Sequence, residues 1–562
     1  MPVSLTSLDI AIFLASLIAV MAIGLWTGRK EDTSEDFFLA GKSVPWWGVA
    51  GSIFGSNVSA EHLVGMLGIG YSIGFAQSHF EYGAIFALLI LCFVFLPLYR
   101  KMGVYTLSEY LEQRYDGRSR TLYSALNIVT IVIVRMTLGF YIGARALRFL
   151  LEGTPLEVSY LGGVVIFAVV TSVYTIFGGL KAVIWTDVMQ SVMLLIAGIF
   201  VAALVFDQPE IGGLSGLFAL DASLPEEQQK FHLYLPSDHP QLPWSGVVSG
   251  LMITHIFYWA TNQFIVQRAL AARSDFDARL GIVAAGYLKL VIPFVSISAG
   301  IAAAHVFQAR LDEGVIASLP LPDDAFPMLV KLVVPAGYGL VGLITAGLIG
   351  AILSSIDSMM NSGATLFTFD FYKRFIRPEA TDGQLIRVGQ LSIVVFVLIS
   401  AALAGVIYTE NEADNFFLKV PAQMGHVVPG VVAAFMLGVF WRGASAAGGF
   451  WAMLLGPAFS FALQYGYNAW MTGDSPLIEA VRTVLGSELN FLHRTAITAL
   501  FCVGLVVVLS RPSLGRRAGR SIESLLWSAN TGLDGARGFW RSERPWAWLL
   551  AALTTAMLIY FA

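Results

Sequence analysis

The chain reads as an all-α membrane protein of about fourteen transmembrane helices. Of its 562 residues, 56% are hydrophobic and only 13% charged, against about 25% charged in a soluble chain. There is too little polar surface to face water. Apolar windows of about 20 residues, the length a helix needs to cross a bilayer, recur from one end to the other. They are continuous rather than alternating, which selects helices over a barrel. The connections between them alternate in charge.

The windows fall near 8–27, 46–70, 79–99, 121–149, 158–178, 183–206, 244–266, 276–306, 336–370, 385–408, 416–440, 446–471, 494–510 and 545–562. The first is too long for a signal-peptide core, lacks a basic leader and is followed by Arg29–Lys30, so it reads as a retained span. One set of loops carries Arg29, Lys30 and Lys42, then Arg100, Lys101, Arg114, Arg118 and Arg120, then Lys181, then Arg268 and Arg273. Lys373, Arg374, Arg377, Arg387, Arg442 and the arginines of 511–544 continue it. The intervening loops are acidic: 207–243 holds one lysine against six acidic residues, and 409–415 holds Glu410, Glu412 and Asp414. Basic loops stay inside, so both termini lie outside, and the compact loops fit a bacterial inner membrane. The polar excursions 207–243 and 511–544 are each under 40 residues, so 1–562 is a single membrane domain. A net charge of −4 gives no reason to expect nucleic acid, and Cys92 and Cys502 imply no disulfide framework.

Two spans look broken. In 45–74, Gly and polar residues interrupt the helix around Gly55–Asn57; in 246–268, Thr254, His255, Thr261, Asn262 and Gln263 do the same. They are the second and seventh spans, five apart and opposite in direction. That offset is what an inverted-repeat transporter requires, with helix ends exposed at mid-membrane to solute and ion. Small residues such as "GSIFG" (51–55) also serve simply to let helices approach.

Ionisable groups inside the apolar windows cost at least about 2.5–3.5 kcal/mol each and mark candidate function. They include His62, Glu81, Asp187, His255, Lys289 and Asp357. Glu81 and Lys289 have opposite signs, suited to pairing or to bonding a polyhydroxylated solute together. In "GLIGAILSSIDSMMNSGATLFTFDF" (347–371), Ser354, Asp357 and Ser358 share a helix face with Ser355 beside them. Serines in membrane helices often bond only the carbonyl four residues back. With Asp357 and so many small residues, the stretch reads instead as a source of hard oxygen ligands for a hard cation, sodium.

These stretches resemble the sodium/solute symporter family, and specifically its sodium/glucose and sodium/galactose branch. The likeness rests on "AGKSVPWWGVAGSIFGSNVSAEH" (40–62), "YTIFGGLKAVIWTDVMQ" (174–190), "FHLYLPSDHPQLPW" (231–244), "FYWATNQFIVQRALAARS" (257–274), "GYLKLVIPF" (286–294) and "AILSSIDSMMNSGATLFTFDFYKRF" (351–375). The resemblance implies a LeuT-like 5+5 inverted-repeat core with discontinuous helices over 46–440, a peripheral span at 8–27 and three more over 446–562. It implies a co-transported sodium held by backbone carbonyls of Gly55, Val58 and Ala351 and by hydroxyls of Ser354 and Ser355. Gly55 stands where alanine is common, a change harmless to a carbonyl ligand. A second sodium or an exit path would involve Asp187, Asp357 and Ser358, with Asp357 where serine is usual. The sugar-site pattern maps onto Asn57, His62, Glu81, Tyr258, Trp259 and Lys289, with Tyr258 as an inner gate. His255 and Pro421 depart from the galactose pattern, the proline where a glutamine usually contacts sugar. Glucose, galactose, myo-inositol or another polyol stay open, as does a non-sugar solute such as an organic anion or amino acid. No HExxH motif argues for an enzyme.

Overall fold

The computed structural model describes residues 6–29, 32–58, 61–335, 337–408, 416–510, 522–528, 540 and 542–562. Lys30, Glu410, Glu412, Asp414 and the arginines from 511 to 541 lie outside the described residues. The described residues fold into helices joined by short connections, with only isolated β-bridges such as Val44 with Ala272.

Local chemistry sets the helix starts. Helix α1 (Ser7–Thr27) opens with a capping box in which the Thr6 and Asp9 side chains each bond the other's backbone N–H. Buried Asp9 also accepts from Gly342 N at 3.1 Å, fixing this peripheral helix to the span that follows Gly339. Helix α2 (Trp46–Asn57) instead has its first N–H bonded to Asp277 Oδ1 at 3.0 Å. It stops at Asn57, where Val58 leaves helical geometry with φ −80° and ψ 86°. A π-helical turn, Glu61–Met66, then leads into α3 (Leu67–Ser72).

Next come α4 (Phe75–Met102) and α5 (Gly117–Leu151), each carrying an internal π-helical turn. The 47-residue α6 (Tyr160–Phe206) turns at Gly179, whose φ of 51° suits glycine alone. Tyr174 and Thr186, about 18 Å apart on a straight helix, both lie within 3.2 Å of a Cβ built on Gly24, so α6 doubles back on itself. The second break separates α7 (Met252–Ala260) from α8 (Gln263–Leu270), where Asn262 Oδ1 caps Phe264 N. Then follow α9 (Asp275–Asp312), α10 (Leu340–Ile376) and α11 (Asp382–Val406). A pair bent by 61°, α12 (Phe416–Met424) and α13 (Val428–Phe440), precedes α14 (Ala446–Trp470), α15 (Phe491–Leu509) and α16 (Arg544–Tyr560).

Among the described residues, nine helices are long and apolar enough to cross a membrane, or ten with the bent pair taken as one span. The sequence expectation was about fourteen. The difference has a physical source: two expected spans are broken, two are joined through the turn at Gly179, and α16 is only 17 residues long. Helix α10 is the most enclosed, 89% of its apolar window being buried, and it packs on α6 at the centre of the molecule.

Candidate functional site

The two breaks face one polar centre. Around it a cavity of about 80 Å³ is lined by Asn57, His62, Glu81, His255, Tyr258 and Trp259, together with Arg135, Phe80, Phe417 and Pro421. Lys289 stands behind this wall. Its Nζ lies 2.7 Å from Glu81 Oε2, donates to Asn57 Oδ1 at 2.5 Å, and sits 4.8 Å from the Trp259 ring centroid. His62 Nε2 approaches Glu81 Oε1 at 3.4 Å. Asn57 Nδ2 donates to the Tyr258 hydroxyl at 3.1 Å, so the last residue of α2 reaches the last turn of α7. Glu81 and Lys289 are only 1% and 2% exposed. A carboxylate and an ammonium buried together offset part of each other's desolvation cost, while the surrounding amide, imidazole and phenol offer donors and acceptors to a polar, uncharged solute.

Aromatic rings pack in two groups along the cavity lining. Phe80 and Phe417 meet edge-on with centroids 5.1 Å apart, and His62 meets Phe417 likewise at 5.3 Å. In the second group Tyr258 packs edge-on against Trp259 and Phe264. His255 bonds the His79 carbonyl at 3.3 Å, tying α7 to the first turns of α4. Arg135, in the π-helical turn Thr130–Met136, reaches the Tyr258 hydroxyl at 3.3 Å and lies over the Tyr258 and Phe264 rings. Such a turn adds a residue to the helix and re-aims a side chain inward, a common device at functional sites.

The residues expected from the sequence to hold sodium gather where α2 meets α6 and α10. Ser355 Oγ lies 3.3 Å from the Ser56 and Ala351 carbonyls. Ser354 donates to Asp187 Oδ1 at 2.5 Å, while Ser52 and Ser56 donate to Asp187 Oδ2 at 2.5 and 3.0 Å. Gly55 is more constrained than the sequence implied. A Cβ there would meet Ser191 Oγ at 2.4 Å and the Asp187 carbonyl at 2.8 Å, so glycine lets α2 lie directly on α6.

Arg268 is the residue that sequence reasoning missed here. It was read as a loop charge, yet it is fully buried: Nε donates to Ser56 Oγ at 2.7 Å, Nη2 to Ser358, Nη1 to the Phe264 carbonyl, and Asp187 lies 3.6 Å away. Asp357 takes a bond from the Tyr174 hydroxyl at 2.6 Å and one from Ser358 at 3.2 Å. Asp187, Asp357 and Ser358 therefore form one connected cluster around a guanidinium. A third centre, also missed, surrounds buried Asp370. It accepts from Ser108 at 2.5 Å, Thr106 at 3.1 Å, Ser124, and Arg120.

Broken helices around a buried polar cavity define a membrane transporter rather than a receptor or an enzyme. The model of the sodium:solute symporter family matches residues 37–456, and the chain belongs to that family. It is 36% identical over 478 residues to a sodium/glucose cotransporter of Vibrio parahaemolyticus, covering 82% of this chain and 86% of that protein. Rabbit (Oryctolagus cuniculus) sodium/myo-inositol cotransporter 2 is 33% identical, covering 81% of this chain and 69% of its own length. Rabbit sodium/glucose cotransporter 1 is 29% identical over 89% of this chain and 78% of its own. Among solved structures, a substrate-bound, outward-open sodium-coupled sialic acid symporter superposes with a TM-score of 0.76 at 22% identity, over 90% of this chain and 98% of that one. That likeness shows the fold.

Proposed function

We propose that the chain is a secondary active transporter that couples downhill sodium entry to uptake of a sugar or polyol by alternating access. The observation that carries the reading is the internally neutralised Glu81–Lys289 pair beside Asn57, His62 and Tyr258, which line a cavity between the two broken helices. Glucose and myo-inositol carriers among its relatives support it. Sodium would sit among the carbonyls of Gly55, Val58 and Ala351 and the hydroxyls of Ser354 and Ser355, bracing α10 against the end of α2. One sodium crossing brings about 2.3 kcal/mol per 100 mV, and a second ion near Asp187, Asp357 and Ser358 would double it.

In the same reading the chain has fourteen spans, a LeuT-like 5+5 core over 46–440, one helix before it and three after. Both termini lie outside a bacterial inner membrane.

A non-sugar or anionic solute is the second reading, and Arg135 favours it. This cavity-lining arginine is 5% exposed and has no carboxylate partner among the described residues. Lys289 does not favour it, because Glu81 already neutralises that charge. Uptake into proteoliposomes across hexoses, inositols, sugar acids and amino acids separates the two. Sodium-driven uptake confined to the neutral polyols supports the first reading; uptake confined to carboxylates, abolished by Arg135→Gln, overturns it.

A further inference from the structure

A groove on the outer wall of the molecule takes no part in transport as described. About 890 Å³ of space opens where α1, α2 and α6 meet, walled by Trp26, Trp47 and Trp185 and by Arg29, Lys181 and Val192. Gly28 sits directly on Gly178, since a Cβ on the former would fall 2.0 Å from the latter's Cα. Arg29 and Lys181, one residue beyond Gly28 and three beyond Gly178, both line the groove. Neither has an acidic partner among the described residues; Arg29 only faces the Trp26 ring, at 5.5 Å. Trp47 and Trp185 pack against each other at 4.9 Å. Beyond the charges, Val192, Ile196 and Ile199 are 52%, 40% and 51% exposed and fall at i, i+4 and i+7, one continuous apolar stripe along α6.

Two unneutralised cations, a collar of indoles and an apolar track in line with them match the three parts of a phospholipid. Indole rings settle at headgroup level, a guanidinium and an ammonium bind phosphate oxygens, and basic pockets between spans recruit acidic headgroups. A soluble anion would use the cations alone and make no contact with the stripe. We propose that this groove is a binding site for one anionic glycerophospholipid, its phosphate on Arg29 and Lys181 and an acyl chain along Val192, Ile196 and Ile199. These cations belong to the basic set of loops, which places the lipid in the cytoplasmic leaflet.

The test counts lipid retained by the purified full-length chain in native mass spectrometry after titration with phosphatidylglycerol or phosphatidylcholine. Wild type should retain phosphatidylglycerol selectively. Arg29→Gln and Lys181→Gln should each weaken that retention about fivefold and the double variant about 25-fold, with phosphatidylcholine retention unchanged. Arg29→Lys combined with Lys181→Arg keeps both charges and should keep the lipid, which separates charge from any packing defect. Equal phosphatidylglycerol retention by wild type and double variant would overturn the proposal. So would equal retention of the two lipids by wild type, or a loss of dimer mass in place of lipid, which would assign the groove to a second copy of the chain.

Discussion

Glu81 with Lys289 and Asp187 with Arg268 are both carboxylate–cation pairs buried beside a helix break, yet one borders open space and the other is filled. At the first, the ammonium bonds Asn57 and Glu81 from behind, and the polar wall in front lines a cavity. At the second, the guanidinium occupies the centre, touching Ser56, Ser358 and the Phe264 carbonyl, while three serines close around Asp187. A neutral polyol is recognised by fixed dipoles that it can complete. A small cation requires compact oxygen ligands and elements that close on it. Lysine, a point charge on a flexible stem, suits the first task; arginine, a rigid fork with five donors, suits holding three helices together.

The largest effect should come from breaking the open pair. Glu81→Gln leaves the Lys289 ammonium buried without its carboxylate, a cost of about 3–5 kcal/mol. Solute uptake should show an apparent affinity at least about 100-fold weaker; an unchanged value would remove Glu81 from the solute wall. Asp187→Asn performs the same cut at the filled pair, where the readout is stability rather than solute affinity. The protein should lose about 3 kcal/mol of stability, read as a lower melting temperature in detergent, because Arg268 has no room to rehydrate.

Ser355→Ala, which removes one hydroxyl and leaves the helix intact, should raise the sodium concentration for half-maximal uptake about tenfold with little change in melting temperature. Tyr258→Phe is the mildest cut. It deletes bonds from Asn57 and Arg135 while keeping the ring, so solute affinity should fall about fivefold with the sodium dependence unmoved. If Ser355→Ala weakened solute binding and Tyr258→Phe the sodium response, the division between the two centres would be wrong.

Much of this was legible in the sequence, for reasons that can be named. Asn57 and Asn262 stand out because polar residues and glycine interrupt long apolar runs, and both fall at helix breaks. Glu81 and Lys289 were legible as opposite charges deep in apolar windows. Arg268 was not, since it lies at the end of its window, where an arginine ordinarily marks a loop; its burial follows from α8 packing on α2 and α10, a tertiary fact. Its neighbours Gln263 and Gln267 on one short apolar helix were the available signal. Arg135 sits mid-window and was available by the same rule as Lys289, but its role depends on a π-helical turn that no periodicity reveals. The number of spans was obscured by the same breaks that make the site: a helix interrupted for function no longer looks like a full crossing.

The account turns on sodium as the driving ion. In proteoliposomes containing only this chain, with pH equal and clamped on both sides, an inward sodium gradient should accumulate the accepted sugar or polyol above its outside concentration. Replacing sodium by choline or potassium should abolish that accumulation. Equal accumulation without sodium would contradict the central claim.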